Sequence, residues 1–321
     1  MFFSRLFIIS CLLITACSSE PQDIHETRFI MGTLVEFTIA GSEKEAAESA
    51  ITAAAEEMQR IEQAFTIYGD HPNSVKAFNS AAVGVVVTLP EEVSSLLKLA
   101  LEIKQQSQGA FDPALGKLNL LWGFSGTDMP VSPPDQTAID PAIPPSICIE
   151  QSGNGWIRKD RRCMLDFGAI AKGYAIDRGI EILKLQGIRS AIINAGGDIH
   201  LIGRHGERPW RIGIRHPRNK GEVINTLELE GDVAVVTSGD YERFYMFQGK
   251  RYHHIIDPIT GWPASGSQSA TVMAATAAMA DAWSTALFVR GANETNIDKA
   301  MNLKSLLIDS NGETHGSLIS K

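Results

Sequence analysis

The chain is short of cysteine, has no excess of positive charge and contains no repeat. Four cysteines in 321 residues, with no histidines near them at ligand spacing, exclude a structural zinc site. Lysine and arginine number 29 against 37 aspartates and glutamates, for a net charge of −8. A nucleic-acid partner needs a basic excess or stripe to meet its phosphates, so that class falls away. A GxxxxGK[ST] phosphate loop is absent, as are low-complexity tracts and any apolar run of the ~20 residues that a membrane span needs. What is present is 44% hydrophobic and 21% charged residues, enough to bury a sizeable core. An enzyme or a ligand binder is the class that remains.

The N-terminus reads as a lipoprotein signal. Arg5 supplies a short positive region, Leu6 to Ile14 an apolar run, and Ile14-Thr15-Ala16 the small residues before Cys17, which together resemble a bacterial lipobox. The expected organisation is a signal at 1–16, a lipidated Cys17 with a polar tether at 17–26, and one domain over 27–321. A lipid anchor on the bacterial cell membrane, facing the periplasm, follows from that reading. Cys11 would leave with the signal, so the domain keeps Cys148 and Cys163. They flank Gly153-Asn154-Gly155, a turn signal, and are either a disulfide across a hairpin or two buried thiols.

Thr27 to Ala40 alternates apolar and polar residues with an interruption at Gly32, the pattern of a strand or bent hairpin. Ser42 and Glu45 have capping-box spacing ahead of a helix that carries Ala47, Ile51, Ala54, Met58, Ile61 and Phe65 on one face. A second helix is predicted from about Pro90 to Gln108, stopped by Gly109. Six prolines in the seventeen residues from Met129 to Pro145 predict an exposed connector without helix. Beyond it the pattern predicts strands at 146–150, 163–167, 188–194, 210–214, 223–229, 233–237 and 271–274, with helices at 171–186 and 276–289. Strands and helices interleave without regular βαβ alternation, so the expected class is a mixed α/β (α+β) fold.

Three clusters carry candidate chemistry. Asp166-Phe-Gly-Ala-Ile-Ala-Lys172-Gly-Tyr joins a strand to a helix, so its free backbone groups can approach a phosphate or simply make a tight turn. Asp281 and Thr285, four apart on a helix, put a carboxylate and a hydroxyl on one face, a hard-oxygen pair that suits Mg²⁺. On spacing alone, a cap or dipole interaction of Asp281 is the stronger reading. His253-His254-Ile-Ile-Asp257-Pro258 offers a general base with an orienting carboxylate, or equally a turn at the end of a strand.

In order along the chain, the segments Met31-Gly32-Thr33, Arg60 to Tyr68, Gly109 to Pro113, Leu121 to Phe124, Asp166 to Asp177, Asn194-Ala-Gly-Gly-Asp198, Thr237 to Arg243, His253 to Gly261 and Ala280 to Leu287 resemble the ApbE-type FAD:protein FMN transferases. The resemblance implies a single ApbE-like, T-fold-like catalytic domain with mixed sheets and packed helices. It also implies transfer of FMN from FAD to a threonine or serine hydroxyl of an acceptor flavoprotein, with release of AMP. Such acceptors belong to the cell-envelope redox machinery, the Na⁺-pumping quinone reductase among them. Asp281, Thr285 and the Ala169 carbonyl match the Mg²⁺ ligands. Met31, Tyr68, Ala110, Phe111, Asp112, Asp166, Lys172 and Ile256 match positions that hold FAD, with Tyr68 and Phe111 offering rings for stacking. His254 is the candidate to accept the acceptor's proton, with Asp257 orienting it and His253 structural, because alternation along a strand puts neighbouring histidines on opposite faces. The alternatives are hydrolysis of FAD to FMN and AMP, and a non-catalytic flavin-binding lipoprotein.

Overall fold

Alternation in the first strands is resolved by a tight turn. In the computed structural model, which describes residues 23–126, 130–294 and 303–319, β1 (Ile24–Ile30) and β2 (Thr33–Ile39) pair antiparallel with Ile30 opposite Thr33. Both turn residues are left-handed, Met31 at φ 55° and Gly32 at φ 69°. That is the twist a two-residue hairpin requires, and for a methionine it is a costly conformation that recurs at functional sites. Strand β1 starts within the stretch read as tether. The signal and Cys17 lie outside the described residues.

Helix α1 (Lys44–Phe65) follows, with Ala47, Ile51, Ala54, Met58, Ile61 and Phe65 buried as the periodicity predicts. The capping box does not form: the helix starts at Lys44, so Glu43 stands at the cap position and makes no side-chain bond there. A short α2 (Ser74–Ser80), capped by Asn73 through the Lys76 amide, was not legible in the pattern. Next come β3 (Val86–Val87), α3 (Glu91–Gln106) and α4 (Gly116–Trp122).

The proline-rich segment corrects the sequence reading. It holds a helical turn, α5 (Gln136–Ile139), and Ile139 is fully buried beside Leu118, Trp122, Tyr245, Tyr252 and Ile256 in a second, aromatic core. Prolines bar the interior of a long helix but not one turn between them. Strands β4 (Ile149–Ser152) and β5 (Gly155–Arg158) form the hairpin around Gly153-Asn154. Cys148 and Cys163, with Cα atoms 5.4 Å apart, are joined in a disulfide. Residues 163–167 are not a strand. They contribute a single bridge, Met164 with Leu115, and then turn into α6 (Ala171–Leu185).

The rest of the chain completes the main sheet. It supplies β6 (Ala191–Ala195), β7 (Asp198–Gly203), β8 (Trp210–Arg215), β9 (Val223–Leu229), β10 (Gly231–Gly239), β11 (Phe244–Phe247), β12 (Lys250–His253), β13 (Ser267–Ala274), α7 (Ala277–Arg290), β14 (Lys304–Asp309) and β15 (Thr314–His315). Eight strands in the order β1-β2-β6-β7-β10-β13-β14-β15 pair antiparallel throughout. Helices α1, α6 and α7 pack on one face. The β8–β9 hairpin lies on the other, where Trp210 and Ile212 meet Ile199 and Leu201. Helix α7 is buried nearly all round, because it is wedged between the sheet and α6.

Candidate active site

The start of α6 crosses the start of α7 at backbone contact. A Cβ on Gly173 would lie 2.2 Å from the Ala277 carbonyl oxygen, so only glycine fits. Each helix gives a carboxylate to the other. Asp177 of α6 accepts the Ala277 amide at 2.6 Å and the Ala278 amide at 2.9 Å, capping α7. Asp281 of α7 accepts the Gly173 amide at 2.9 Å. That amide is thereby turned to Asp281 rather than back along the helix, and the Ala169 carbonyl stands at the same helix start.

Beside them, Ser238 Oγ of β10 lies 2.8 Å from Ser284 Oγ and 3.2 Å from Thr285 Oγ1. Lys172 Nζ meets Asp198 Oδ2 at 2.6 Å, and Asp198 also accepts the Thr237 amide at 3.2 Å. Burial, and next the negative charge of Asp198, push the Asp281 carboxyl up to about 7 against the opposing pull of Lys172. Burial works against the Lys172 ammonium, but Asp198 and Asp281 outweigh it and hold its pKa above the ordinary lysine value. Two buried carboxylates sharing one ammonium leave the cluster short of positive charge, the condition that favours a cation.

A second group of side chains lines the approach. Arg243 reaches the Met31-Gly32 turn, its Nη2 being 3.2 Å from where a Gly32 Cβ would stand, and its Nη1 is 3.3 Å from Ser125 Oγ. Tyr68 lies between them and Asp166. Burial and the Asp166 charge raise its hydroxyl to about 12, while Ser125 and Arg243 pull the other way. Asp166 is buried, accepts the Gly168 amide at 2.9 Å and Asn119 Nδ2 at 2.7 Å, and burial raises its pKa. His254 stands over the Arg243 carbonyl, 3.4 Å from its Nδ1. Burial first, then His253, Arg243 and Lys172, lower its ring to about 3, so it is neutral at pH 7. Across the sheet from α7 a cavity of about 480 Å³ reaches Thr237, Tyr241 and Glu242. Its arginine, Arg215, is already engaged by the Gly196 carbonyl and Glu242, so the cavity offers an anion less than the Lys172 side does.

Comparison with known proteins supplies the family. The ApbE family profile matches residues 31–304. This chain belongs to the ApbE family. It is 32% identical to an FAD:protein FMN transferase of Rhodobacter capsulatus, over 90% of this chain and 56% of that protein, so it spans little more than half of that relative's length. It is 30% identical to the Treponema pallidum (strain Nichols) protein of the same name, over 89% of this chain and 85% of that one. Among solved structures, the ApbE protein of Thermotoga maritima superposes with TM-score 0.83 at 35% identity, covering 92% of this chain and 97% of that one. The flavin transferase ApbE of Vibrio cholerae superposes with TM-score 0.79 at 25% identity, over the same shares.

In this ApbE-family chain the residues singled out from sequence divide into three groups. Lys172 and Asp281 meet at the helix crossing, with Thr285 one turn on along α7 and Ala169 two residues ahead of α6. His254 is near Lys172 and Arg243, and Tyr68 links Arg243, at the Met31-Gly32 turn, to Asp166. Asp112 and Ala110 form the loop after α3, where Asp112 pairs with Lys104 at 2.8 Å and accepts the Ala114 amide at 2.9 Å. Burial raises the Asp112 carboxyl although Lys104 opposes it. Of the remaining three, Phe111 and Asp257 do not present the groups expected of them. Phe111 is only 2% exposed inside the main core and offers no ring for stacking, because the loop after α3 turns it inward. The Ile256 side chain is buried in the aromatic core. Asp257 accepts the Ile259 amide at 2.8 Å, closing its own turn, and makes no hydrogen bond to His254. The expectation for His253 holds: its ring is buried, and its Nε2 donates to the Ala264 carbonyl at 2.8 Å. Sequence reasoning left Asp177, His200, Asn119 and Ser238 without a role. Their partners lie on distant segments, and no local spacing reveals them.

Proposed function

We propose that this chain transfers FMN from FAD to a threonine or serine hydroxyl of an acceptor flavoprotein, with Mg²⁺ at the α6–α7 crossing. The observation that supports the reading is the bond from the Gly173 amide at the start of α6 to Asp281, beside the Lys172–Asp198 pair, with Thr285 one turn on from Asp281 and Ala169 two residues ahead of α6. One carboxylate, one hydroxyl and one carbonyl make a hard-oxygen set that suits Mg²⁺. Bound there, the cation would neutralise charge on the diphosphate while the bond to AMP breaks.

The chain's own groups supply the rest. Lys172 and the backbone at the start of α6 bind phosphate oxygens, since a helix N-terminus favours anions. Tyr68, Met31, Ala110, Asp112 and Asp166 hold the remainder of FAD, and the Ile256 backbone contributes from the segment after β12. The acceptor oxygen attacks the phosphorus of the FMN half, the P–O bond to AMP breaks, and AMP leaves. His254, neutral at pH 7, takes the hydroxyl proton. Two of the charges that depress its pKa, Lys172 and Arg243, are those an anionic diphosphate would offset, so its basicity rises when substrate is bound.

The acceptor is a subunit of the envelope redox machinery, of the Na⁺-pumping quinone reductase kind, and Cys17 carries a lipid that holds the chain at the membrane, facing the periplasm. Among the described residues no helix is long and apolar enough to cross a membrane. Incubating the protein with FAD and Mg²⁺, with and without the soluble domain of such a subunit, tests the activity. AMP release that requires the acceptor supports transfer; AMP without it means hydrolysis, and no AMP means a flavin-binding protein. A His254→Ala variant should bind FAD and transfer slowly, and undiminished transfer would move the base elsewhere.

A further inference from the structure

His200, on the helix side of β7, takes no part in the chemistry above, yet it is only 4% exposed and has a carboxylate at each ring nitrogen. Its Nδ1 lies 2.7 Å from Asp177 Oδ1 and its Nε2 2.8 Å from Asp232 Oδ1. Carboxylate oxygens accept, so the ring holds both partners and cannot turn without abandoning them. Asp177 joins Thr276 in capping α7 by taking its first two amides, and its Oδ1 is shared between His200 and the Ala277 amide. Gly173 and Asp177 stand one helical turn apart on α6, facing Ala277 and Asp281 one turn apart on α7, so two rungs fix the crossing. Gly173 and Ala277 are already at backbone contact, so the crossing can yield only by sliding or parting.

We propose that His200 is a positioning residue for the cation cluster: by holding Asp177 on the α7 amides it sets the spacing between Asp281, Thr285 and the Ala169 carbonyl. The inference rests on the reading of that cluster as a divalent-cation site. It gives a buried histidine on one side of the molecule a measurable effect on ligands it does not touch. Partners that orient a metal's ligands typically change its affinity by about 10–100-fold when removed.

The test is Mn²⁺ alone as probe, titrated into the purified protein and followed by the electron paramagnetic resonance of the free ion. His200→Gln is expected to raise the Mn²⁺ Kd about 10-fold, near the low end of that range, and Asp177→Asn at least as much. The double variant should bind no more weakly than Asp177→Asn, because His200 acts through that carboxylate. A His200→Gln protein with lowered Tm but unchanged Kd, or a double variant in which the two losses multiply, overturns the proposal. Should His200→Gln fail to fold by circular dichroism, Asp232→Asn removes the charge on the ring's outer side, together with its exposed ion pair to Lys184. A rise in Kd of about two- to threefold is then expected, below the range for a direct partner, and an unchanged Kd overturns the proposal. If the unaltered protein binds no Mn²⁺, the cation site itself is wrong. If it binds and none of the variants bind more weakly, only the role of His200 is wrong.

Discussion

The helix crossing and the aromatic corner border one approach and are built on opposite principles. At the crossing the carboxylates and the ammonium are held by hydrogen bonds to the backbone or carboxylate of another element, and Thr285 by the Ser238 hydroxyl, with glycine giving the close approach. At the corner, Trp122 meets Phe124, Tyr252 and Trp262 with ring centroids 6.0, 6.0 and 5.4 Å apart, and donates its Nε1 hydrogen to the Gly261 carbonyl at 2.8 Å. Stacking is broad and tolerant, whereas carboxylate–amide bonds fix positions to tenths of an ångström. The corner therefore gathers three distant loops, and the crossing sets the geometry of chemistry.

That division predicts separable damage. Trp122→Ala, at a fully buried site, should cost about 3–5 kcal/mol in urea unfolding while leaving the Mn²⁺ affinity of the folded protein unchanged. Weaker Mn²⁺ binding in that variant would show the two regions to be one. Asp281→Ala should do the reverse, lowering transfer at limiting Mg²⁺ by about 10²–10³-fold, as loss of a charge-stabilising group does, with a smaller effect on unfolding. Transfer at the unaltered rate would remove Asp281 from the metal site. Between the two regions, the Cys148–Cys163 disulfide closes a loop just ahead of Asp166. Replacing both cysteines with serine should cost about 3 kcal/mol for a loop near 15 residues, measured by the same unfolding. An unchanged midpoint would show that the loop is ordered without it.

The two regions also differ in how far they could be read in advance. The crossing was legible because its parts are local: a glycine-bearing strand-to-helix link at 166–174, and a carboxylate and hydroxyl one helical turn apart at 281 and 285. Spacing alone favoured Asp281 as a cap. The cap is instead shared by the local Thr276, which accepts the Met279 amide, and Asp177, supplied by another helix, which is tertiary information. The aromatic corner was not legible. Its rings come from 118–124, 245–252 and 262, and its floor is the turn of helix among the prolines, where composition argued for an exposed connector. Phe111 misled for the same reason: a ring beside a functional loop can face the core, and only the packing of α3 decides which. The antiparallel order of the main sheet escaped too, since its strands 198–203 and 304–309 lack the alternation that a period-2 pattern requires, as do 155–158, 244–247 and 250–253 in the smaller sheets.

Two buried histidines, one at the crossing and one on the strand that borders the corner, carry the comparison to its finest scale. His200 at the crossing has carboxylates on both nitrogens. His253 follows the corner's Tyr252 but faces the main core, edge-on to Phe288 of α7, with its Nε2 hydrogen on the Ala264 carbonyl and the Ile255 amide donated to Nδ1 at 3.3 Å, which fixes the neutral form. A second proton would have to take the place of that amide hydrogen. Burial lowers the His253 pKa, and Arg251 and Arg218 add to this against Asp240 and the Ala264 carbonyl. A base with a depressed folded pKa leaves stability untouched above its unfolded value of about 6.5, and costs stability as pH falls below it. Between pH 6.5 and the lowered folded value, the loss approaches about 1.4 kcal/mol per pH unit for one such group. Urea unfolding at pH 7.5, 6.5 and 5.5 should therefore give a stability that falls toward acid. In His253→Gln, which keeps a donor for Ala264 and cannot titrate, the fall should be shallower by up to that slope. An identical slope in the variant would mean that His253 takes up its proton within the fold, and that the core beside α7 tolerates that charge.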